Sequence, residues 1–235
     1  MLRRLRISLV ALALAALSAL PLATSANAAV IVYDSGYLTT NATAAATEAT
    51  ASWSQPAGTC TSVDSGARFW TGVGGLDGSP GAWVGTDTDC SGGSPVYYGW
   101  YRAPGTSEFV SYGNAISAGD VMEATATCDS ASCAMILRDV TANWIVRSVQ
   151  PLSGTPHRAE AMISRNGSQP LTNFGTVTFS PVLFEGSAAT PSGTTQILII
   201  GPSGRLDTIS DLNTFTDPNT GLESNSFSGT WVRAT

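Results

Sequence analysis

The chain has 235 residues, with 11 arginines, no lysine, 17 acidic residues and one histidine, and a net charge of −6 at neutral pH. That balance disfavours nucleic acid and anionic membranes as partners, because both are held mainly by clustered cations. Two widely spaced cysteine pairs and a lone histidine also make a poor zinc ligand set, and no metal or other cofactor is expected.

Taken in chain order, the first element is not part of the fold. Arg3, Arg4 and Arg6 precede the apolar run "ISLVALALAALSALPLA", and Ala26–Ala28 supply small residues for cleavage. This is the pattern of a secretory signal peptide over residues 1–28, leaving 29–235 as one mature domain. Losing three arginines leaves eight against seventeen acids, so the mature charge is −9. The expected product is secreted, extracellular and monomeric, with no membrane segment after removal of the signal. In such a chain four cysteines read as two disulfides with three possible connectivities. Cys128 and Cys133 flank the short polar turn "DSAS" and are paired, which leaves Cys60 with Cys90.

Beyond the signal, short β-branched and aromatic runs alternate with Gly, Pro, Ser and Asp clusters. They include "AVIVYDSGYL", "ARFWTGV", "VYYGWY", "DVMEATATC", "CAMILRD", "NWIVRSV", "FGTVTFSPVLF" and "FSGTWV". Only "NATAAATEATASW" has a helical alternative, on alanine content, weakened by its threonines. The glycine clusters at 72–81 and 91–93 read as loops, and with no helix following they form no phosphate cradle. The pattern predicts an all-β chain, an antiparallel sandwich or barrel.

Few residues offer chemistry. A serine nucleophile needs a base beside it, and His157 is the only imidazole, with no Gly-x-Ser-x-Gly elbow. Asp87 and Asp89, with Asp77 nearby, could offer oxygens to calcium, but a solvated acidic turn is the favoured reading. The segment "PHRAEAMIS" places Arg158, Glu160, Met162 and Ser164 on one face of a strand and Ala159, Ala161 and Ile163 on the other. A glutamate there is a surface charge or a general base acting on water in a partly desolvated cleft.

The order of several blocks resembles the glutamic peptidases, the eqolisins, in their bacterial secreted branch. The blocks are "DSGY", "ATASW", "FWTGVGG", "DCSGGSPVYYGWY", "ISAGD", "AEAMIS" and "NFGTVTF", spread over most of the mature chain, with a further match at "FSGTW". The resemblance implies a concanavalin-like jelly roll of two long curved antiparallel sheets, with a peptide groove on the concave face. It implies a polypeptide as substrate or ligand. It also implies a Glu that activates water and a Gln that orients the water and stabilises the oxyanion, without metal. The Glu maps to Glu160, and the position of the Gln maps to Trp83. Trp70, Trp100, Tyr98 and Arg102 are the expected contacts to the peptide.

The same blocks depart from the family's usual text on the active face. The acid of Trp-Val-Gly-x-Asp-Gly is Gly74, and the acid of Trp-Tyr-Glu is Arg102. In the Glu160 block the following tryptophan is Ala161 and the second acid is Ser164. Two readings follow. One is an acid-favoured endopeptidase with Glu160 as base and Trp83 in place of the glutamine. The other is a pseudo-peptidase whose groove holds a peptide or glycan with Trp83, Trp100, Tyr98, Tyr101 and Arg102. A lectin-like protein with calcium at Asp87 and Asp89 is a third and remoter reading.

Overall fold

The computed structural model describes residues 33–39, 45–60, 64–74, 80–185, 187–188, 194–197, 199–201, 204–205, 207–216 and 223–234. The expected signal peptide and Asp77 lie outside the described residues, where there are eighteen strands and no helix. The first six strands are β1 Asp34–Thr39, β2 Glu48–Ser54, β3 Gly66–Gly74, β4 Ala82–Asp89, β5 Val96–Arg102 and β6 Phe109–Ala115. Next come β7 Val121–Cys128, β8 Ser132–Asp139, β9 Trp144–Pro151, β10 Arg158–Arg165 and β11 Thr176–Phe184. The remainder are short: β12 Ser187–Ala188, β13 Thr194–Ile197, β14 Ile200–Gly201, β15 Gly204–Arg205, β16 Asp207–Ile209 and β17 Asn213–Thr216. The exception is the last, β18 Glu223–Trp231.

Two large antiparallel sheets result. The first runs β13-β1-β10-β3-β4-β5-β6 and the second β16-β18-β11-β2-β7-β8-β9. Their inner faces bury Trp53, Phe69, Ile163, Phe179 and Phe227, among others, in one core, as in any aligned sandwich. The expected antiparallel β-sandwich is therefore the fold. Both disulfides pair as expected, Cys60 with Cys90 and Cys128 with Cys133 across the β7–β8 hairpin.

The ambiguous alanine tract resolves as strand. Ala49, Ala51 and Trp53 of β2 point into the core, while Thr50 meets Thr125 of β7 at 3.0 Å on the outer face. Period-2 burial against a neighbouring sheet outweighs alanine's helical propensity. The glycine cluster at 72–81 is not simply a loop. Gly72 and Gly74 are inside β3, and Gly81 stands next to the start of β4.

Candidate functional site

Register explains how residues far apart in sequence reach one face. Across the first sheet, Glu160 of β10 stands opposite Leu38 on β1 and Gly72 on β3. Gly72 faces Trp83 on β4, Trp83 faces Arg102 on β5, and Arg102 faces Phe109 on β6. A second row two residues along reads Met162, Trp70, Gly85, Trp100 and Ser111. A third holds Asp34, Ser164, Arg68, Asp87 and Tyr98. Alternation along each strand turns these rows away from the core. The faces assigned to Glu160 and to Ala159, Ala161 and Ile163 from sequence are those observed, the last three being in the main core.

These rows border a groove of about 660 Å³, lined by Glu160, Trp83, Trp70, Trp100 and Arg102 together with Asp34, Arg68, Phe109 and Arg165. Such a volume suits a ligand cleft. Glu160 is 0% exposed, and the Trp83 indole N–H donates to its Oε1 at 2.6 Å. A neutral donor on a carboxylate this close is a strong, charge-assisted hydrogen bond. The glutamate is therefore no surface charge.

Trp83 sits in a seat made of missing side chains. A Cβ on Gly72 would lie 2.5 Å from Trp83 Cδ1, one on Gly74 2.6 Å from Cζ2, and one on Gly81 2.7 Å from Cη2. A side chain at Gly72 or Gly74 would meet the indole first, and one at Gly81 would meet the β3 backbone, Val73 O at 2.5 Å, before it. On the other side Arg102 lies over the Trp83 ring at 4.4 Å, a cation–π contact, with its Nε donating to Thr106 O at 2.7 Å. Burial lowers the Arg102 pKa, while the charges of Glu160 and Asp34 hold it up.

A second chain of contacts runs beside the first. The Trp70 indole donates to Ser164 Oγ at 2.5 Å, and Ser164 donates in turn to Asp34 Oδ1. Burial raises the Asp34 pKa against that hydroxyl and against Arg68 and Arg102. Trp70 and Trp83 meet edge to face, 6.4 Å between centroids, an arrangement favoured by the ring quadrupoles.

Asp87 corrects the calcium reading. It is 0% exposed rather than a solvated turn residue, and its Oδ2 accepts from Arg68 Nε at 3.0 Å and from Tyr98 OH at 3.1 Å. Burial pushes its carboxyl up to about 6, with Arg68 opposing. Asp89 caps the backbone N–H of Ser91 at 2.7 Å. Among the described residues no three His, Cys, Asp or Glu side chains converge as a metal site.

Two further expectations shift. Tyr98 borders an adjoining cavity of about 510 Å³ rather than the main groove, sharing Arg68, Trp100 and Phe109 with it. Tyr101 turns inward and packs on the main core. His157 is not among the groove-lining residues. Sequence reasoning missed Asp34, Arg68, Phe109 and Arg165. Alternation was the available signal for Arg68, which shares a face with Trp70, and Asp34 opens the quoted "DSGY" block, whereas Arg165 falls on the other parity from Ser164 and carried no such signal.

Solved structures share this architecture. Scytalido-glutamic peptidase, bound to a transition state analog inhibitor, superposes with a TM-score of 0.69 at 18% identity over 86% of this chain and 100% of its own. SCP-B, a member of the eqolisin family in complex with the tripeptide Ala-Ile-His, gives 0.64 at 18% identity, covering 85% and 98%. Aspergilloglutamic peptidase from Aspergillus niger gives 0.53 at 22% identity, covering 71% and 99%. The fold is thus that of the glutamic peptidases. The model of the Peptidase A4 family matches residues 33–217, and the chain belongs to that family. No curated protein matches it in sequence.

Proposed function

We propose that this chain is an exported member of the glutamic-peptidase family whose groove holds a polypeptide segment without hydrolysing it. The observation that carries the reading is the Trp83 N–H on Glu160 at 2.6 Å, with Glu160 fully buried. A general base must turn an oxygen toward water, and its partner must both orient that water and donate to the oxyanion. Indole only donates, and here it donates to the base itself. Losing one oxyanion donor alone slows such reactions by about a hundred- to a thousand-fold. A misplaced water costs more.

The glycine seat supports a settled change rather than a loose one. Gly74 stands where the family resemblance expects an acid, and any side chain there would strike Trp83 Cζ2. Replacement of the glutamine by Trp83 and of the acid by Gly74 are sterically linked. Peptide as ligand is supported by the aromatic groove and by the tripeptide bound in SCP-B. Export is supported by the pattern of residues 1–28 and by two disulfides.

The experiment is gain of function. Trp83→Gln combined with Gly74→Asp is expected to produce cleavage of acid-denatured protein that is absent from the parent and lost again on Glu160→Ala. A folded double variant that remains inert would mean that Trp83 is not the block.

A further inference from the structure

We propose that the groove is built to hold an anionic polypeptide, its three lining arginines taking the carboxylates of an acidic segment or of a chain end. This names the ligand class of the proposed peptide groove and rests on that reading. The starting point is a contrast of charge. The mature chain carries eight arginines against seventeen acids, yet three of the eight, Arg68, Arg102 and Arg165, line this one groove. Only two carboxylates, Asp34 and Glu160, line it with them, and Glu160 Oε1 accepts from the Trp83 indole N–H.

The three arginines share one construction. Each donates through Nε to a fixed acceptor: Arg68 to Asp87 Oδ2 at 3.0 Å, Arg102 to Thr106 O at 2.7 Å and Arg165 to Gln169 O at 3.0 Å. Each also lies over an aromatic ring. Arg68 is 3.8 Å from the Phe109 centroid, Arg102 4.4 Å from that of Trp83 and Arg165 5.4 Å from that of Tyr33. Arg68 and Arg165 each make one further bond, to Asn166 Oδ1 and Ser168 O. At least one terminal nitrogen of every arginine therefore lies outside these bonds.

Fixing a guanidinium by its inner edge and its face removes the rotamer freedom that a ligand would otherwise have to freeze, and prepares the outer N–H edge for a planar carboxylate. A buried donor points to the same class of ligand. Trp100 borders the groove, and its buried indole N–H has no hydrogen-bond partner among the described residues. A peptide carbonyl or a carboxylate oxygen would satisfy it. A long nucleic acid or another polyanion is a poorer fit, since repulsion by a surface at −9 grows with every phosphate beyond the groove.

The test is calorimetric titration of the mature chain at about pH 6, where free glutamate side chains are ionised. The probes are an extended octapeptide rich in glutamate, its glutamine counterpart and its lysine counterpart. The acidic peptide is expected to bind about tenfold more tightly than the glutamine peptide, the effect of one charge-assisted hydrogen bond, and the lysine peptide more weakly than either. Arg102→Gln should weaken the acidic peptide more than the glutamine peptide and so shrink that preference, and Arg102→Glu should shrink it further. A purely structural role for Arg102 would instead weaken all three peptides alike. Equal binding of the acidic and glutamine peptides overturns the charge assignment and leaves the peptide groove standing. Binding of none of the three overturns the peptide groove itself, and the assignment with it. Binding of a uronic-acid oligosaccharide in place of the acidic peptide also overturns the assignment, by making the ligand a glycan.

Discussion

The two sheets treat their outward faces in opposite ways. In the second sheet β7 alternates buried and partly exposed residues, with Met122, Ala124 and Ala126 in the core and Glu123 and Thr125 outside. In the first sheet β3, β4 and β10 scarcely expose a residue on either face. Leu38, Trp70, Trp83, Trp100 and Met162 form a second apolar cluster there. Charges inserted into such a cluster lose water and must find partners. An ion pair in each sheet makes the point. Arg68 and Asp87 meet at 3.0 Å with side chains 13% and 0% exposed, whereas Arg138 and Glu123 meet at 3.1 Å with 48% and 44% exposed.

That contrast yields a graded set of tests. The largest effect is expected for Arg68→Ala, which strands Asp87 in a buried site and should cost about 3–5 kcal/mol in denaturant unfolding. A loss below about 1 kcal/mol would place Asp87 in contact with water.

Next comes pH. Burial raises both Asp87 and Asp207 to about 6, from an ordinary value of 3.8. Between about pH 4 and 6 each therefore binds more protons folded than unfolded, so its stabilisation is complete below that window and is lost as pH rises through about 6. The loss is of the order of 3 kcal/mol per group. Thermal unfolding should show stability falling from pH 4 to 7, with a shallower fall in Asp87→Asn. Asp129, exposed in the β7–β8 turn, is lowered instead by the backbone N–H groups of Ala131 and Ser132 and acts with the opposite sign.

A smaller difference separates two tryptophans. Trp83 donates to a buried carboxylate, while Trp53 of the second sheet donates to the Thr86 hydroxyl at 3.2 Å. Phenylalanine at 83 should cost about 1.5–3 kcal/mol and at 53 about 1 kcal/mol, compared by urea unfolding. The smallest effect belongs to Arg138→Ala, expected to fall below about 1 kcal/mol because its pair is solvated.

The same contrast decides what could be read from sequence. The second sheet was legible because β7 and β9 alternate throughout, and β2 emerged from an alanine-rich tract once Ala49, Ala51 and Trp53 had a core to meet. Cys128–Cys133 was legible from a four-residue turn. In the groove, Glu160 and Trp83 could be placed by their blocks, but not their contact, which depends on register across β10, β3 and β4. Gly72, Gly74 and Gly81 looked like loop residues because a seat for an indole leaves no mark except small size. Arg68, Arg165 and Asp34 were missed because a charge on a strand usually faces water. Here the outward face is itself an interior, and only the three-dimensional packing says so.

One measurement tests the central claim most directly. The mature chain and its Glu160→Ala variant would each be incubated with acid-denatured protein from about pH 2 to 6, and new peptide termini identified by mass spectrometry. With Trp83 closing off Glu160, the two are expected to give the same background of termini at every pH. Termini made by the parent and absent from the variant would contradict the account and make Glu160 a working base.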